Sequence, residues 1–184
     1  MRIQVDRRRA TEVVTFWREA GAEKWFYKDE MFDAEFRERF GDLHMAAAKR
    51  QCDHWSEDAE GALALMILLD QFPRNCFRGS GHMYATDPLG RYYARKAIEV
   101  GHDMATEAPI RVFFYLPFSH SETLADHDIP MERSTALGGD FMKFAIGHRD
   151  IVARFGRFPH RNYILGREST PQELAFLESG GFSG

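Results

Sequence analysis

The hydrophobic and polar residues of this chain are arranged in segments that predict helices. The segment from Ala62 to Leu69 is apolar on every side, so we expect it to form a central, buried helix. The run RVFFYLPF suits a strand as well as a helix; we assign it to a helix because Pro109 can start one and no second strand-like run could pair with it. A short helical turn is predicted at about 160–165. The predicted helices cover about residues 9–20, 33–51, 57–72, 88–100, 109–117, 120–137, 140–155 and 171–179.

Signals for helix ends are numerous along the sequence. The stretch from Ser119 to Glu122 fits a capping box, in which a hydroxyl and a carboxylate bind free helix N–H groups, and so does the stretch from Thr170 to Glu173. Asp87 precedes a proline and predicts another N-cap. Four glycines stand where helices are expected to end in the left-handed conformation: Gly41, Gly101, Gly156 and Gly166.

These elements predict an all-α fold. No linker, low-complexity tract or strict repeat divides the chain, so we expect a single all-helical domain over residues 1–184, built as a bundle or a short stack of antiparallel helix pairs. With 44% hydrophobic and 14% aromatic residues, the chain is rich enough in apolar side chains to form a packed core.

Charge and cysteine content narrow the location and the partners. The net charge of −4 provides no overall attraction to nucleic acid or to an anionic membrane, and we expect neither as a partner. The longest apolar run has eight residues, Ala62–Leu69, which is too short to cross a bilayer. The two cysteines form no disulfide framework and no signal peptide is recognisable, so a cytoplasmic location is expected.

Four stretches resemble a known bacterial family. They are LDQFPRNCFRG (69–79), FFYLPFSHSE (113–122), HRDIVARFGRFPHRN (148–162) and LGREST (165–170). In this order and at these separations they resemble the family catalogued as domain of unknown function 924, from about Val13 to Leu177. The resemblance implies a tetratricopeptide-like superhelical packing of helix pairs, and it brings no activity, substrate or catalytic residue with it.

The segment from Lys143 to Arg167, here called the basic segment, is the strongest candidate for a site. It contains six cations and one anion, a charge of +5 that leaves −9 for the rest of the chain. Arginine forks beside a new helical turn at Pro159 would bind a carboxylate or a phosphate. The predicted anion pocket is lined by Arg154, Arg157, His160, Arg161 and Asn162.

A structural interpretation of the same arginines is equally open. They could pair with acidic neighbours such as Asp70 and Glu122, and Asp150 with Arg154 could form an i, i+4 surface pair. The interleaved Phe and Tyr residues also suit stacking on single-stranded nucleic acid, but the acidic remainder of the chain disfavours that function.

Other candidates for chemistry are weaker. His120 and Glu122 could act as an acid–base pair beside the aromatic run, although residues two apart on a helix diverge. His148 falls on an apolar helical face and favours a core role. No histidine, cysteine or carboxylate spacing predicts a metal site, no nucleophile motif occurs, and we expect no cofactor.

A second polar cluster, Asp70, Gln71, Arg74 and Asn75, ends the buried helix. Buried polar groups need partners, so we expect this cluster to meet the basic segment or the turn from Ser119 to Glu122 in one polar centre. Two functions then remain: a small anionic ligand, in an enzyme or a binding protein, with His160 or His120 exchanging protons, or a helical scaffold that binds a protein or peptide in a groove. An enclosed pocket bordered by Arg157 and His160 would favour the first, and an open groove with paired arginines would favour the second.

Overall fold

The computed structural model describes residues 4–134, 137 and 139–184, and this part of the chain contains helices and no strand. It divides into two compact units, Met1–Arg78 with His82–Pro117, and Gly79–Gly81 with Phe118–Gly184. The all-α prediction is confirmed, whereas one domain over residues 1–184 stays a prediction. No helix in the described ranges is long and apolar enough to cross a membrane.

Most helices lie in the first unit. They are α1 Arg8–Ala20, α2 Ala22–Trp25, α3 Glu30–Ala48, α4 Ala59–Met66, α5 Phe72–Cys76, α6 His82–Ala85, α7 Asp87–Glu99, α8 Ala108–Arg111 and, running to the start of the second unit, α9 Leu116–Ser119. The second unit adds α10 Asp128–Ser134, α11 Gly139–Phe155 and α12 Pro171–Glu178. Short 3-10 helices cover Asp53–Glu57, Val112–Phe114, Leu124–His127 and Pro159–Arg161.

The core of the first unit is built on α4 and a cluster of aromatic rings. Residues Ala62 to Leu69 are at most 1% exposed, as the apolar run predicts. Trp17 packs edge-on against Phe113 at 5.4 Å between ring centroids, and Phe16 stacks on Phe32 at 5.1 Å. Large buried rings supply most of the apolar area that stabilises a unit of this size.

The predicted long helix at 57–72 changes its hydrogen bonding after Met66 and forms a π-helical turn, Ile67–Gln71. The N–H of Phe72 donates to the carbonyl of Ile67, five residues earlier, which leaves the carbonyl of Leu68 outside the α-helical pattern. That carbonyl accepts a hydrogen bond from His44 Nδ1 at 2.9 Å. The π-helical turn therefore fixes the orientation of a buried imidazole.

Pro73 has a similar effect on the next carbonyl. A proline has no N–H to donate to the residue four positions earlier, so the carbonyl of Leu69 accepts instead from Thr86 Oγ1 at 2.6 Å. Asp87 was predicted as an N-cap, but α7 begins at Asp87 itself and Thr86 holds the cap position without a side-chain cap bond. The Asp87 carboxylate binds Arg74 instead.

Several predicted helix ends need correction. The stretch from Ser119 to Glu122 forms no capping box, because α9 ends at Ser119 and the next helical segment begins at Leu124. Gly41 lies inside α3 rather than at its end. The other three glycines do adopt positive φ angles: Gly101 (79°), Gly156 (69°) and Gly166 (64°). The predicted helix at 120–137 is divided into the 3-10 helix Leu124–His127 and α10, and its positions 135 and 136 lie outside the described residues.

The second unit has its own small core, and it positions the basic segment. Ile151 and Val152 of α11 pack with Phe158, and Phe155 and Phe176 border them. The predicted capping box from Thr170 to Glu173 is present at the start of α12 and is thereby confirmed. This box fixes the first turn of α12, which carries Glu173, one of the carboxylate partners of the basic segment.

Candidate functional site

The basic segment folds as the end of a helix, a reversal and a short turn. Helix α11 ends at Phe155, Gly156 takes the left-handed conformation at φ 69°, and a 3-10 helix covers Pro159–Arg161. The predicted helical turn at Pro159 is therefore confirmed. The reversal directs the side chains of the segment to different neighbours, so the predicted anion pocket is divided.

Arg157 is paired with a carboxylate. Its Nε donates to Glu173 Oε1 at 2.6 Å and its Nη2 to Glu173 Oε2 at 2.8 Å, while Nη2 also donates to the carbonyl of Glu168. These hydrogen bonds from Arg157 lower the pKa of Glu173 to about 2. Since Glu173 also closes the capping box, Arg157 ties the basic segment to the start of α12.

A second carboxylate, that of Glu122, forms a bidentate pair with Arg167. Arg167 Nη1 and Nη2 donate to its two carboxylate oxygens at 2.7 and 2.9 Å, and the N–H of Phe158 donates at 2.9 Å. Burial alone would raise the pKa of Glu122, but these hydrogen bonds and the charges of Arg167 and Arg161 lower it below its usual value. Glu122 therefore carries a negative charge at neutral pH, and its two oxygens accept from Arg167 and Phe158. That Glu122 and His120 act as an acid–base pair stays a prediction.

Arg161 and Asn162 are buried in the same network. Arg161 is 6% exposed, donates from Nη2 to the carbonyl of His120 at 2.9 Å, and lies over the Phe158 ring at 4.5 Å. Asn162 is 1% exposed, accepts from Arg167 Nε and donates to Ser169 Oγ. Of the two interpretations left open by the sequence, the structural one holds for Arg167, which pairs with Glu122.

Arg154 differs from Arg157 because it has no carboxylate partner among the described residues. It is exposed, and within the described chain no carboxylate pairs with it, including Asp150 one turn earlier. Its guanidinium lies over the rings of Phe155 at 4.6 Å and Phe176 at 5.7 Å. The two rings hold the planar group in place while its N–H edge remains available.

Arg154 borders an open groove with a volume of about 440 Å³. The groove runs between the end of α11 and the start of α12. Its lining consists of Arg154, Phe155, Arg157, Thr170, Gln172 and Glu173. Two arginines face one carboxylate there, so the groove carries one positive charge in excess.

His160 lies apart from this groove, among other imidazoles and rings. It packs against Phe158 at 5.6 Å and Phe182 at 5.1 Å, and His148 also packs against Phe182, at 4.8 Å. Burial, followed by the charge of Arg161, lowers the pKa of His160 to about 3, and burial lowers that of His148 to about 4. Both imidazoles are therefore neutral at neutral pH.

The cluster at Asp70 and Arg74 serves the first unit. Arg74 donates to both oxygens of Asp87 at 2.8 and 3.0 Å and lies 3.1 Å from Asp70 Oδ1. Burial opposes its charged form, but the charges of Asp70 and Asp87 raise the pKa of Arg74 above its usual value. Gln71 Nε2 donates to Asp70 at 2.6 Å. That Asp70 also joins the polar centre of Glu122 and the basic segment stays a prediction.

The rest of the LDQFPRNCFRG stretch makes structural contacts as well. Asn75 and Arg78 donate to the two oxygens of the buried Asp33 at 2.7 and 3.1 Å. Burial raises the pKa of both Cys52 and Cys76 to about 12, so neither thiol is a nucleophile at neutral pH. Among the described residues, no group of three His, Cys, Asp or Glu side chains could hold a metal ion.

Sequence reasoning did not identify two members of this cluster of imidazoles and phenylalanine rings, Phe182 and His127. Phe182 lies 22 positions after His160 in a glycine-rich tail, and no local pattern marks it as a contact. His127 is fully buried, donates from Nε2 to the carbonyl of Ser121, and packs against Phe158 at 6.4 Å. Both positions depend on how α11 and α12 fold back on the chain, which spacing alone does not reveal.

Comparisons with known proteins agree with the resemblance of the four stretches. A family described as "Bacterial protein of unknown function (DUF924)" matches residues 13–181. A solved structure, a protein of unknown function called ATU0120 from Agrobacterium tumefaciens, is similar with 57% identity and a TM-score of 0.92, covering 94% of this chain and 98% of that one. No curated protein sequence matches the chain. With nearly its whole length matched, the chain belongs to this bacterial family of unknown function, DUF924.

Proposed function

We propose that this protein is a helical binding module that holds an acidic segment of a partner protein in the groove beside Arg154. The observation that carries the proposal is the state of Arg154 itself. Its guanidinium lies over two phenylalanine rings, has no carboxylate partner in the described chain, and borders a groove of about 440 Å³. A carboxylate of the partner would accept two parallel hydrogen bonds from this guanidinium.

Preorganisation strengthens the argument for a carboxylate. Arginine loses side-chain freedom when it binds, and the rings of Phe155 and Phe176 have already restricted Arg154. Arg157 is neutralised by Glu173 and keeps the groove wall in place. The excess positive charge is therefore concentrated at one side chain that a ligand can reach.

The shape of the groove favours a peptide over an enclosed small molecule. The groove is open, its arginine at position 157 is paired, and His160 is not part of its lining. An extended peptide can lie in such an open groove with most of its own surface still exposed to solvent. A tetratricopeptide-like stacking of helix pairs, which the family resemblance implies, and a cytoplasmic location, which two free cysteines favour, belong to the same proposal.

The test is the affinity of the protein for an acidic probe. A fluorescein-labelled octapeptide of alternating Glu and Gly is titrated with wild-type protein, and anisotropy is recorded at low and at physiological salt. Replacing Arg154 by Ala removes a charge-assisted hydrogen-bond pair, so we expect the dissociation constant to rise about tenfold. Arg154→Lys should lose much of the same affinity, because lysine keeps the charge and lacks the planar fork.

The matched control is Lys143→Ala, which removes one charge from the same helix. Lys143 is 81% exposed and pairs with Asp140, away from the groove lining. Its removal should change the affinity less than about twofold. Equal losses in the two variants would mean general attraction to a basic surface, and a wild-type protein that does not bind the probe even at low salt would overturn the proposal.

A further inference from the structure

The tail of the second unit lies across two histidines. The Phe182 ring is 4.8 Å from the ring of His148 and 5.1 Å from that of His160, centroid to centroid. Gly184 packs closely on His160, since a Cβ added to this glycine would lie 3.2 Å from His160 Cδ2. The tail therefore covers both imidazoles, which also pack against Phe158 at 5.7 and 5.6 Å.

The start of the tail has a defined turn. Gly180 adopts φ 83°, its N–H donates to the carbonyl of Leu177, and the N–H of Gly181 donates to the carbonyl of Phe176 at 2.9 Å. This is the Schellman pattern of a helix end. A Cβ at Gly181 would lie 2.5 Å from the carbonyl oxygen of Phe176, so the reversal requires glycine there.

Beyond Gly181 the tail is held differently. Within the described chain, residues 182–184 make no hydrogen bond, and their attachment consists of the ring contacts of Phe182 and the packing of Gly184. Phe182 remains 37% exposed. A segment that is anchored by one partly exposed ring, with glycines at positions 181 and 184, can be displaced at small cost.

The covered imidazoles have unused hydrogen-bonding capacity. His148 uses Nδ1 for the carbonyl of Phe144, which leaves Nε2 for another partner. His160 Nδ1 is buried and has no hydrogen-bond partner among the described residues. Burial of an unpartnered polar atom is unfavourable, so a ligand that reaches His160 gains a hydrogen bond that the closed state lacks.

The electrostatic environment favours an anion at this position. Arg161 lies next to His160, and its positive charge is the largest cause after burial of the low pKa of that imidazole, while the charge of Glu122 opposes it. A carboxylate would offset this charge and allow His160 to bind a proton and donate it to the ligand. The space that Phe182 fills can hold the phenyl ring of a ligand. The imidazoles of His148 and His160 and the charge of Arg161 can then interact with the carboxylate of that ligand.

We propose that residues 180–184 form a strap over a ligand seat made by His148 and His160, and that aromatic carboxylates bind this seat by displacing Phe182. The seat is separate from the groove lining beside Arg154, and the proposal does not depend on peptide binding there. Phe182 acts as an internal competitor, so its removal raises the apparent affinity for a ligand of this class.

The experiment uses the full chain and 3-phenylpropionate as the probe. Binding is followed by NMR through the Cε1–Hε1 signals of His148 and His160. In the Phe182→Ala variant the seat is open, and we expect an apparent dissociation constant about tenfold lower than in the wild type. The largest shifts should appear at His148 and His160, and in Phe182→Ala/His160→Ala the remaining shift at His148 should be lost.

The matched control is Tyr163→Ala, which removes an aromatic side chain of the same unit that is 95% exposed. It should bind 3-phenylpropionate like the wild type. Equal affinity in wild type and Phe182→Ala would overturn the strap, and equally tight binding of 3-phenyl-1-propanol would overturn the requirement for a carboxylate. If Phe182→Ala unfolds, Phe182→Leu, which keeps an apolar side chain of smaller size, must show the same direction of change.

Discussion

Arg74 lies between two buried carboxylates. Its side chain is 13% exposed, and those of Asp70 and Asp87 are 1% and 6% exposed. A buried arginine of this kind is held by geometry as much as by charge, because the planar fork meets both oxygens of Asp87. The polar residues that looked most unusual in the LDQFPRNCFRG stretch are therefore contacts that join α5 to its neighbours.

Replacing Arg74 should destabilise the protein strongly. Arg74→Ala removes the cation from two buried carboxylates, which typically costs about 3–5 kcal/mol of unfolding free energy. Urea unfolding followed by circular dichroism measures the change. Arg78→Ala is the comparison, because Arg78 also pairs with a buried carboxylate but is 38% exposed. A loss for Arg74→Ala no greater than that for Arg78→Ala would contradict the structural role assigned to Arg74.

At the level of elements, helix α12 is defined by its first turn. Thr170 Oγ1 accepts from the N–H of Glu173, and Glu173 Oε2 accepts from the N–H of Thr170 at 2.7 Å. The same carboxylate binds Arg157. A cap that could be identified from four consecutive residues is thus also the anchor of a long-range ion pair that the spacing did not reveal.

Removal of the cap hydroxyl should have a moderate effect. Thr170→Ala should reduce the free energy of unfolding by about 1 kcal/mol, the usual cost of losing an N-cap acceptor. Thr170→Ser keeps the hydroxyl and should remain close to the wild type. Thermal and urea unfolding of the two variants provide the measurement, and equal destabilisation by both substitutions would show that the methyl group rather than the hydroxyl matters.

The sequence predicted elements better than their details, for identifiable reasons. Most predicted helices are present because their caps and apolar runs are local signals, as at Thr170 and Ala62–Leu69. The π-helical turn at Ile67–Gln71 was not predicted, because the imidazole of His44 that pairs with its free carbonyl is distant in sequence. The predicted anion pocket was divided because Gly156 reverses the chain, so Arg154 and His160 face different neighbours.

At the scale of the whole molecule, titratable groups with altered pKa values are unevenly distributed. Of the histidines whose pKa is lowered, mainly by burial, His127, His148 and His160 belong to the second unit and His44 to the first. In the second unit, Arg157 also lowers the pKa of Glu173, to about 2. The response of each unit to acid should therefore differ.

Acid should destabilise the second unit first. An unfolded histidine binds a proton near its usual pKa of 6.5, whereas folded His148 and His160 stay neutral down to about 4 and 3. A lowered folded pKa means that the unfolded state binds more protons as the pH falls below 6.5, so the stability present above that pH is progressively lost. Above the usual carboxyl pKa of 4.5, histidines dominate this loss, and three of the four lie in the second unit.

Hydrogen exchange at pH 7 and pH 5, corrected for intrinsic rates, tests this expectation. Amides of α11 should lose more protection at pH 5 than amides of α4, because α11 contains His148 and packs in the unit of His160. His160→Leu removes one of the titrating groups. The number of protons that the chain binds when it unfolds at pH 5 should therefore be lower than in the wild type by up to about one. An equal loss of protection in α4 and α11 would contradict the argument, because it would require the acid response to arise from groups shared by both units rather than from the histidines of the second.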